Sequence, residues 1–186
     1  MIVVKNLHKR YRDADAVRGL SFDVLPGQIL GLVGPNGAGK TTTLRTIAGI
    51  IPATSGTIEV AGHDVRTAAL EAKKALAYVP DDPALFGSLT VYEHLVLSAR
   101  AYEVNGYEAQ AEQLTQQFQI SDRRNTLAQE LSRGARQKAA IFALTHDAKA
   151  NLFDEPRTGL VSHGIRTMKD SVRQRATAGA ALYRSW

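Results

Sequence analysis

The sequence predicts an α/β fold: a parallel core sheet in which a glycine-rich loop joins strand to helix, an N-terminal antiparallel β region, and a helical insertion. Three observations predict it. Gly34-Pro35-Asn36-Gly37-Ala38-Gly39-Lys40-Thr41 fits the pattern G-x-x-x-x-G-K-[ST]. An apolar strand pattern leads into that segment and a helical pattern leads out of it. Far downstream, a second short apolar strand, Ala150-Asn151-Leu152-Phe153, ends in Asp154-Glu155.

The elements follow in order. Ile2-Val3-Val4 is the first strand-like piece, and Leu20-Ser21-Phe22-Asp23-Val24 alternates apolar with polar until Pro26-Gly27 ends it. Gln28-Ile29-Leu30-Gly31-Leu32-Val33 reads as a buried parallel strand, mostly apolar and without Pro. Thr41 to Ala48 reads as a helix that stops at Gly49. Thr57-Ile58-Glu59-Val60 is a further strand, bracketed by Ser55-Gly56 and Ala61-Gly62. Ala75-Leu76-Ala77-Tyr78-Val79 is strand-like and stops at Pro80. Thr90 and Glu93 then form a capping box, followed by Val91, Leu95, Ala99 and Tyr102 at helical spacing. A second amphipathic helix carries Ala111, Leu114 and Phe118. Residues 82 to about 145 therefore read as a helical insertion between strands of the core.

The loop's chemistry follows from its residue types. Its glycines allow tight turns that aim successive N–H groups inward, a cradle for the phosphates of a nucleoside triphosphate. The helix that starts there turns its positive end toward the same anion. Lys40 supplies a point charge for the β- and γ-phosphates, and the Thr41 hydroxyl is a ligand for Mg2+. The nucleotide-binding candidates of the loop are Gly34, Pro35, Asn36, Gly37, Ala38, Gly39, Lys40, Thr41 and Thr42. Asp154 is expected to hold Mg2+ through water and Glu155 to polarise the attacking water. This is the arrangement of a P-loop NTPase, with ATP and Mg2+ as the expected ligands. One residue is discordant: Asn151 is polar in a strand that should be buried.

Bulk properties bound the alternatives. The chain has 186 residues, enough for one sizeable domain spanning 1–186, and 44% of them are hydrophobic, which argues against global disorder. With no cysteine, disulfides and cysteine-bound metals are excluded, and the five histidines show no ligand spacing. No stretch approaches the roughly 20 apolar residues that cross a bilayer. Met1-Ile2-Val3-Val4-Lys5 begins in strand pattern and does not read as a signal peptide, so a cytoplasmic chain is expected. The net charge is +5, with basic clusters at Lys9, Arg10 and Arg12, at Arg133, Arg136 and Lys138, and at Arg166, Lys169, Arg173 and Arg175. No aromatic-interleaved basic stripe accompanies them, so nucleic acid is not an expected partner; most of them read as solvated faces.

Leu131-Ser132-Arg133-Gly134-Ala135-Arg136-Gln137-Lys138 lies about twenty residues before the Asp-Glu pair. With these three motifs in order, the chain resembles the ATP-binding subunit of an ABC transporter, in the group serving drug-export and ABC-2-type permeases. The resemblance runs from Met1 to about Leu182. It implies an ATPase that dimerises, as homo- or heterodimer, on a transmembrane permease, peripheral on the inner face of the cell membrane. It also implies that Ser132, Arg133 and Gly134 act on the γ-phosphate held by the opposite subunit, at a helix start that binds anions. Taken alone, Ser132 is an ordinary helix N-cap. Tyr11 matches the aromatic residue that stacks on adenine, worth about 1–3 kcal/mol per base.

Four positions depart from the family pattern. Asp81 stands at the family's Gln, where a carboxylate still approaches Mg2+ through water. Val161, in Gly159-Leu160-Val161-Ser162, replaces an Asp, and Ala135 replaces Gln or Met in the signature. The fourth is a switch His that the resemblance places after the last strand. Gly179-Ala180-Ala181-Leu182 begins that strand and Tyr183-Arg184-Ser185-Trp186 follows without one; His163 comes too early to replace it. Losing one preorganised contact of this kind costs about 10²–10³ in rate. The expected fold is therefore C-terminally truncated, its final strands missing. The alternative reading is a catalytically impaired nucleotide-binding remnant or regulatory partner subunit.

Overall fold

The computed structural model describes residues 1–140, 148–155 and 162–185. Among them, strand β1 (Ile2–Tyr11) pairs antiparallel with β2 (Ala14–Val24) on one edge and with β4 (Ser55–Val60) on the other; β5 (His63–Asp64) completes a sheet ordered β2-β1-β4-β5. This is the expected antiparallel region, but β1 runs well past Val4. The reason is a bulge. Asn6 sits at φ 48°, its N–H donates to Ser21 Oγ at 2.7 Å, and the pairing register shifts between Val4 and Leu7. Strict alternation from Ile2 and Val4 would turn Leu7 outward; the bulge re-phases the strand so that Leu7 is buried and β1 continues.

The second sheet is ordered β3-β8-β7-β6, from Ile29–Leu32, Ala181–Ser185, Ala150–Phe153 and Leu76–Val79. β8 is parallel to both β3 and β7. Every residue of β7 is buried, as a central parallel strand requires. β3 departs from the expectation of a buried strand: it is the edge strand among the described residues, with Ile29 45% exposed and Val33 78% exposed. Helix α1 (Lys40–Ile47) follows the loop, ends at Ala48, and packs Leu44 and Ile47 against Ile2, Val4, Ile58, Leu152 and Tyr183 in one core. Gly49, at φ 64°, takes the left-handed conformation that closes such a helix.

The chain forms two compact units. The first comprises residues 1–78, 148–154 and 172–186; the second comprises 79–147 and 155–171. The first holds both sheets except Val79, with α1 and α2 (Ala69–Lys74), a short helix that the sequence did not announce and that buries only Ala72. The second contains α3 (Val91–Ala101), α4 (Tyr107–Gln117) and α5 (Arg133–Ala140), with short 3-10 turns at Ser121–Arg123 and Ala128–Glu130. The capping box is present: Thr90 Oγ1 accepts from the Glu93 N–H at 3.2 Å, and the Glu93 carboxylate accepts from the Thr90 N–H at 2.7 Å. Val91, Leu95 and Ala99 are buried along α3, and Ala111, Leu114 and Phe118 are buried along or just after α4. Helix α6 (Ser162–Thr177) was not read from the sequence; its buried Met168, Val172 and Ala176 recur every fourth residue. The departure at Val161 lies outside the described residues.

Candidate nucleotide site

The loop between β3 and α1 is shaped by two glycines with φ of +82°, Gly37 and Gly39. Gly37 borders open space, whereas a Cβ added to Gly39 would collide with the Ala16 carbonyl oxygen. Only glycine meets both demands at position 39, the left-handed backbone and the close approach to β2. Inside the loop the Ala38 N–H donates to the Pro35 carbonyl at 3.2 Å, closing the turn through Asn36 and Gly37. Gly39 then begins α1 with no side-chain cap, and no acidic residue stands in the first turn. The first-turn N–H groups and the positive end of the helix are left for an anion.

Three side chains converge on this start. Lys40 is buried, and its ammonium donates to the carbonyl oxygens of Gly34 at 2.8 Å and Pro35 at 3.2 Å. It is thereby folded back over the loop that it belongs to. The Thr41 hydroxyl donates to Asp154 Oδ1 at 3.1 Å, joining the start of α1 to the end of β7. Asp154 is 1% exposed. The Tyr78 hydroxyl, from β6, donates to the other carboxylate oxygen, Oδ2, across a longer 3.4 Å. Burial, and next the negative charge of Asp154, push the Tyr78 phenol up to about 12, so it is a donor at neutral pH. The Thr42 carbonyl accepts the Thr46 hydroxyl at 2.7 Å, a bond within α1 and not to the site.

This donor set tests the expected metal. Among the described residues no group of three His, Cys, Asp or Glu side chains is placed to hold an ion. A hydroxyl and one buried carboxylate cannot cage a cation alone. They suit Mg2+, which takes one or two protein oxygens and completes its octahedron with phosphate oxygens and water. The residues fit a metal that arrives with a nucleotide.

Tyr11 stands at the end of β1, 47% exposed, and Lys9 Nζ lies 4.9 Å from its ring centroid. Lys9 itself is buried and donates to the Pro52 carbonyl at 2.7 Å, so it does not belong to the solvated face read from its cluster. Glu155 follows Asp154 with φ 42°, a left-handed backbone that side chains rarely adopt. Such outliers concentrate where function holds them.

In the second unit, Ser132 Oγ accepts from the Ala135 N–H at 3.3 Å, the cap that its sequence position suggested. Arg133, one residue on, forms an ion pair with Asp81 at 3.3 Å. One turn later the buried Gln137 donates to the Pro80 carbonyl at 3.0 Å. Residues 133 and 137 share a helix face, so α5 grips the turn at 80–81 twice. Gly134 is half-buried at the first turn of α5. Asp81, expected near Mg2+, is thus engaged by Arg133. The sequence reading passed over Tyr78, which it took only as a strand residue. Its signal was position: it is the second-last residue of β6, the strand next to β7, which leads into Asp154.

A family model described as ABC transporter matches residues 17–158. The chain is 36% identical to the lipopolysaccharide export system ATP-binding protein LptB of Escherichia coli K12, over 97% of this chain and 78% of that protein. It is 31% identical to the SkfA peptide export ATP-binding protein SkfE of Bacillus subtilis, over 98% of this chain and 77% of that one. A solved structure of the ATP-binding subunit of an ABC transporter superposes with a TM-score of 0.93 at 29% identity, covering 99% of this chain and 78% of the other. These names are of transporter ATP-binding proteins and lend no support to the catalytically impaired alternative.

Proposed function

Since the chain belongs to the ABC transporter family as an ATP-binding subunit, we propose that it binds and hydrolyses ATP to drive a separate transmembrane permease, in the direction of export. One observation carries the reading: an uncapped helix start at Gly39 brings Lys40 and Thr41 to a buried carboxylate, Asp154, that accepts the Thr41 hydroxyl. Export rests on the relatives, whose names specify lipopolysaccharide and peptide export. We take residues 1–186 as one ATP-binding domain, with residues 82 to about 145 as its helical subdomain.

The roles follow from chemistry. The N–H groups of Gly37 to Thr42 bind phosphate oxygens, and Lys40 turns from its carbonyl partners to the β- and γ-phosphates. Thr41 and Asp154 hold Mg2+, which neutralises phosphate charge when bound. Glu155 takes a proton from the attacking water, and Tyr11 stacks on the adenine. Ser132, Arg133 and Gly134 serve the nucleotide of an opposing subunit, so the active form is a dimer. Among the described residues no helix is long and apolar enough to cross a membrane. In this reading a permease supplies the membrane path, with this subunit peripheral on the inner face.

The deciding experiment measures MgATP turnover by the chain beside Glu155→Gln, with ATP binding followed in parallel. Turnover in the wild type, lost in the variant while binding persists, is the expected result. A wild-type chain that fails to bind MgATP, or turnover that survives Glu155→Gln, overturns the proposal.

A further inference from the structure

Asp154 is held at both oxygens by neutral hydroxyls from different elements. Thr41 donates to Oδ1 at 3.1 Å and Tyr78 approaches Oδ2 at 3.4 Å. The carboxylate cannot rotate about its last bond without losing one of them. Thr41 is also the expected metal ligand, so a metal entering beside it would compete for that hydroxyl. Tyr78 has no such second duty. Its hydroxyl sits on the side of the carboxylate away from Thr41, and it comes from β6, the strand that neighbours β7 in the sheet.

We propose that Tyr78 is a positioning residue for metal-dependent nucleotide binding: its hydroxyl fixes Asp154 Oδ2, so that Oδ1 faces the metal beside Thr41. The inference rests on the reading of Asp154 as the residue that holds Mg2+. Arg45 supports the same arrangement. It lies on α1 one turn after Thr41, on the same face, and its positive charge acts on the Tyr78 phenol. A cation near the phenol repels its proton, which is directed to Asp154 instead. The hydrogen-bonded chain runs from Tyr78 to Asp154 and ends at Thr41. Helix α1 supplies Thr41 and Arg45, and the ends of β6 and β7 supply Tyr78 and Asp154.

The test is a titration of Mg2+ into the chain with a fluorescent ATP analogue, with analogue binding in EDTA as the metal-free reference. Groups that orient a metal ligand typically change metal affinity about 10–100-fold when removed. With its 3.4 Å contact, Tyr78→Phe is expected at the low end, raising the Mg2+ midpoint about tenfold, while binding in EDTA stays unchanged. Arg45→Gln, on an exposed residue, is expected to move the midpoint in the same direction by less. Combined with Tyr78→Phe it is expected to add nothing, because it acts through the tyrosine. A Tyr78→Phe midpoint equal to wild type overturns the proposal. So does an equal loss of binding with and without Mg2+, which marks a packing role. Asp154→Asn separates the two readings. If it leaves the Mg2+ midpoint in place, the reading of Asp154 itself fails; if it moves the midpoint and Tyr78→Phe does not, only the role of Tyr78 fails.

Discussion

Replacing Tyr183 with Phe is expected to stabilise the protein. Tyr183 is fully buried in β8, stacked on Phe22 of β2 with ring centroids 4.8 Å apart and planes 16° from parallel. Its hydroxyl has no partner among the described residues, and burial holds it above the ordinary phenol range. An unmade hydrogen bond at a buried hydroxyl costs about 1–3 kcal/mol relative to water. Phe keeps the stack and the core contacts and removes the cost. Allowing for hydration that a compact denatured chain has already lost, the net gain is about 1–2 kcal/mol. For a chain of this length each kcal/mol moves the melting temperature by about 2–4 °C, so the rise is about 2–8 °C. The assay is thermal unfolding by circular dichroism, wild type against Tyr183→Phe. An unchanged or lowered midpoint would refute the reasoning, since the hydroxyl would then have a partner, such as a buried water, that Phe forfeits. Tyr78→Phe is the contrast, because that hydroxyl does have a partner and its loss should not stabilise.

Three further outcomes follow from the site and its scaffold. Gly39→Ala is expected to abolish nucleotide binding and lower the melting temperature, because the new methyl meets the Ala16 carbonyl and the backbone must keep φ at +82°; unchanged binding by calorimetry would show that the loop relaxes freely. Lys40→Ala should weaken MgATP by about tenfold to a hundredfold, the worth of a charge-assisted hydrogen bond of about 1.5–3 kcal/mol, read from the Kd of the same titration. Thr90→Ala removes the N-cap of α3 and should cost about 1 kcal/mol in a denaturation midpoint. The capping box also carries a pH sign. The Thr90 N–H and hydroxyl hold the Glu93 carboxyl below its ordinary value, so its contribution is present above the ordinary glutamate range and is lost as pH falls through the lowered value. The gap between wild type and Thr90→Ala should therefore narrow at acid pH by the share that the Thr90 hydroxyl gives the carboxylate, while the cap on the Glu93 N–H keeps the rest.

Much of this site could be read from residue types alone, because its parts are local. The glycines, Lys40 and Thr41 are contiguous, and Asp154 ends an apolar run, so spacing and chemistry reveal them without the fold. Thr90 and Glu93 were legible for the same reason, a side chain bonding three residues away. What escaped depends on partners distant in the chain. Tyr78 matters because β6 lies beside β7, and Arg133 meets Asp81 because α5 packs on the turn after β6. The length of β1 was hidden by the bulge at Asn6, which breaks the alternation that betrays a strand. Helix α6 was missed because its apolar stripe is narrow and basic residues surround it. Asn151 was flagged as discordant and is so in the fold: fully buried, with one long bond from its amide to the Ala148 carbonyl at 3.3 Å and its side-chain oxygen without a partner among the described residues.

The pairing of β3 with β8 also bears on how the chain matures. β3 leads straight into the phosphate loop, yet the strand it bonds to among the described residues is β8, residue 29 lying opposite residue 182. That partner is made long after β3 itself. During synthesis the loop and α1 emerge early, but the neighbour that β3 has among the described residues is not available until β8 has left the ribosome. Contacts so far apart in sequence are slow to form, and an unpaired apolar strand is open to wrong partners while it waits. Competence for nucleotide should therefore arrive late and abruptly, and ribosome-bound intermediates that end before β8 should fail to retain ATP.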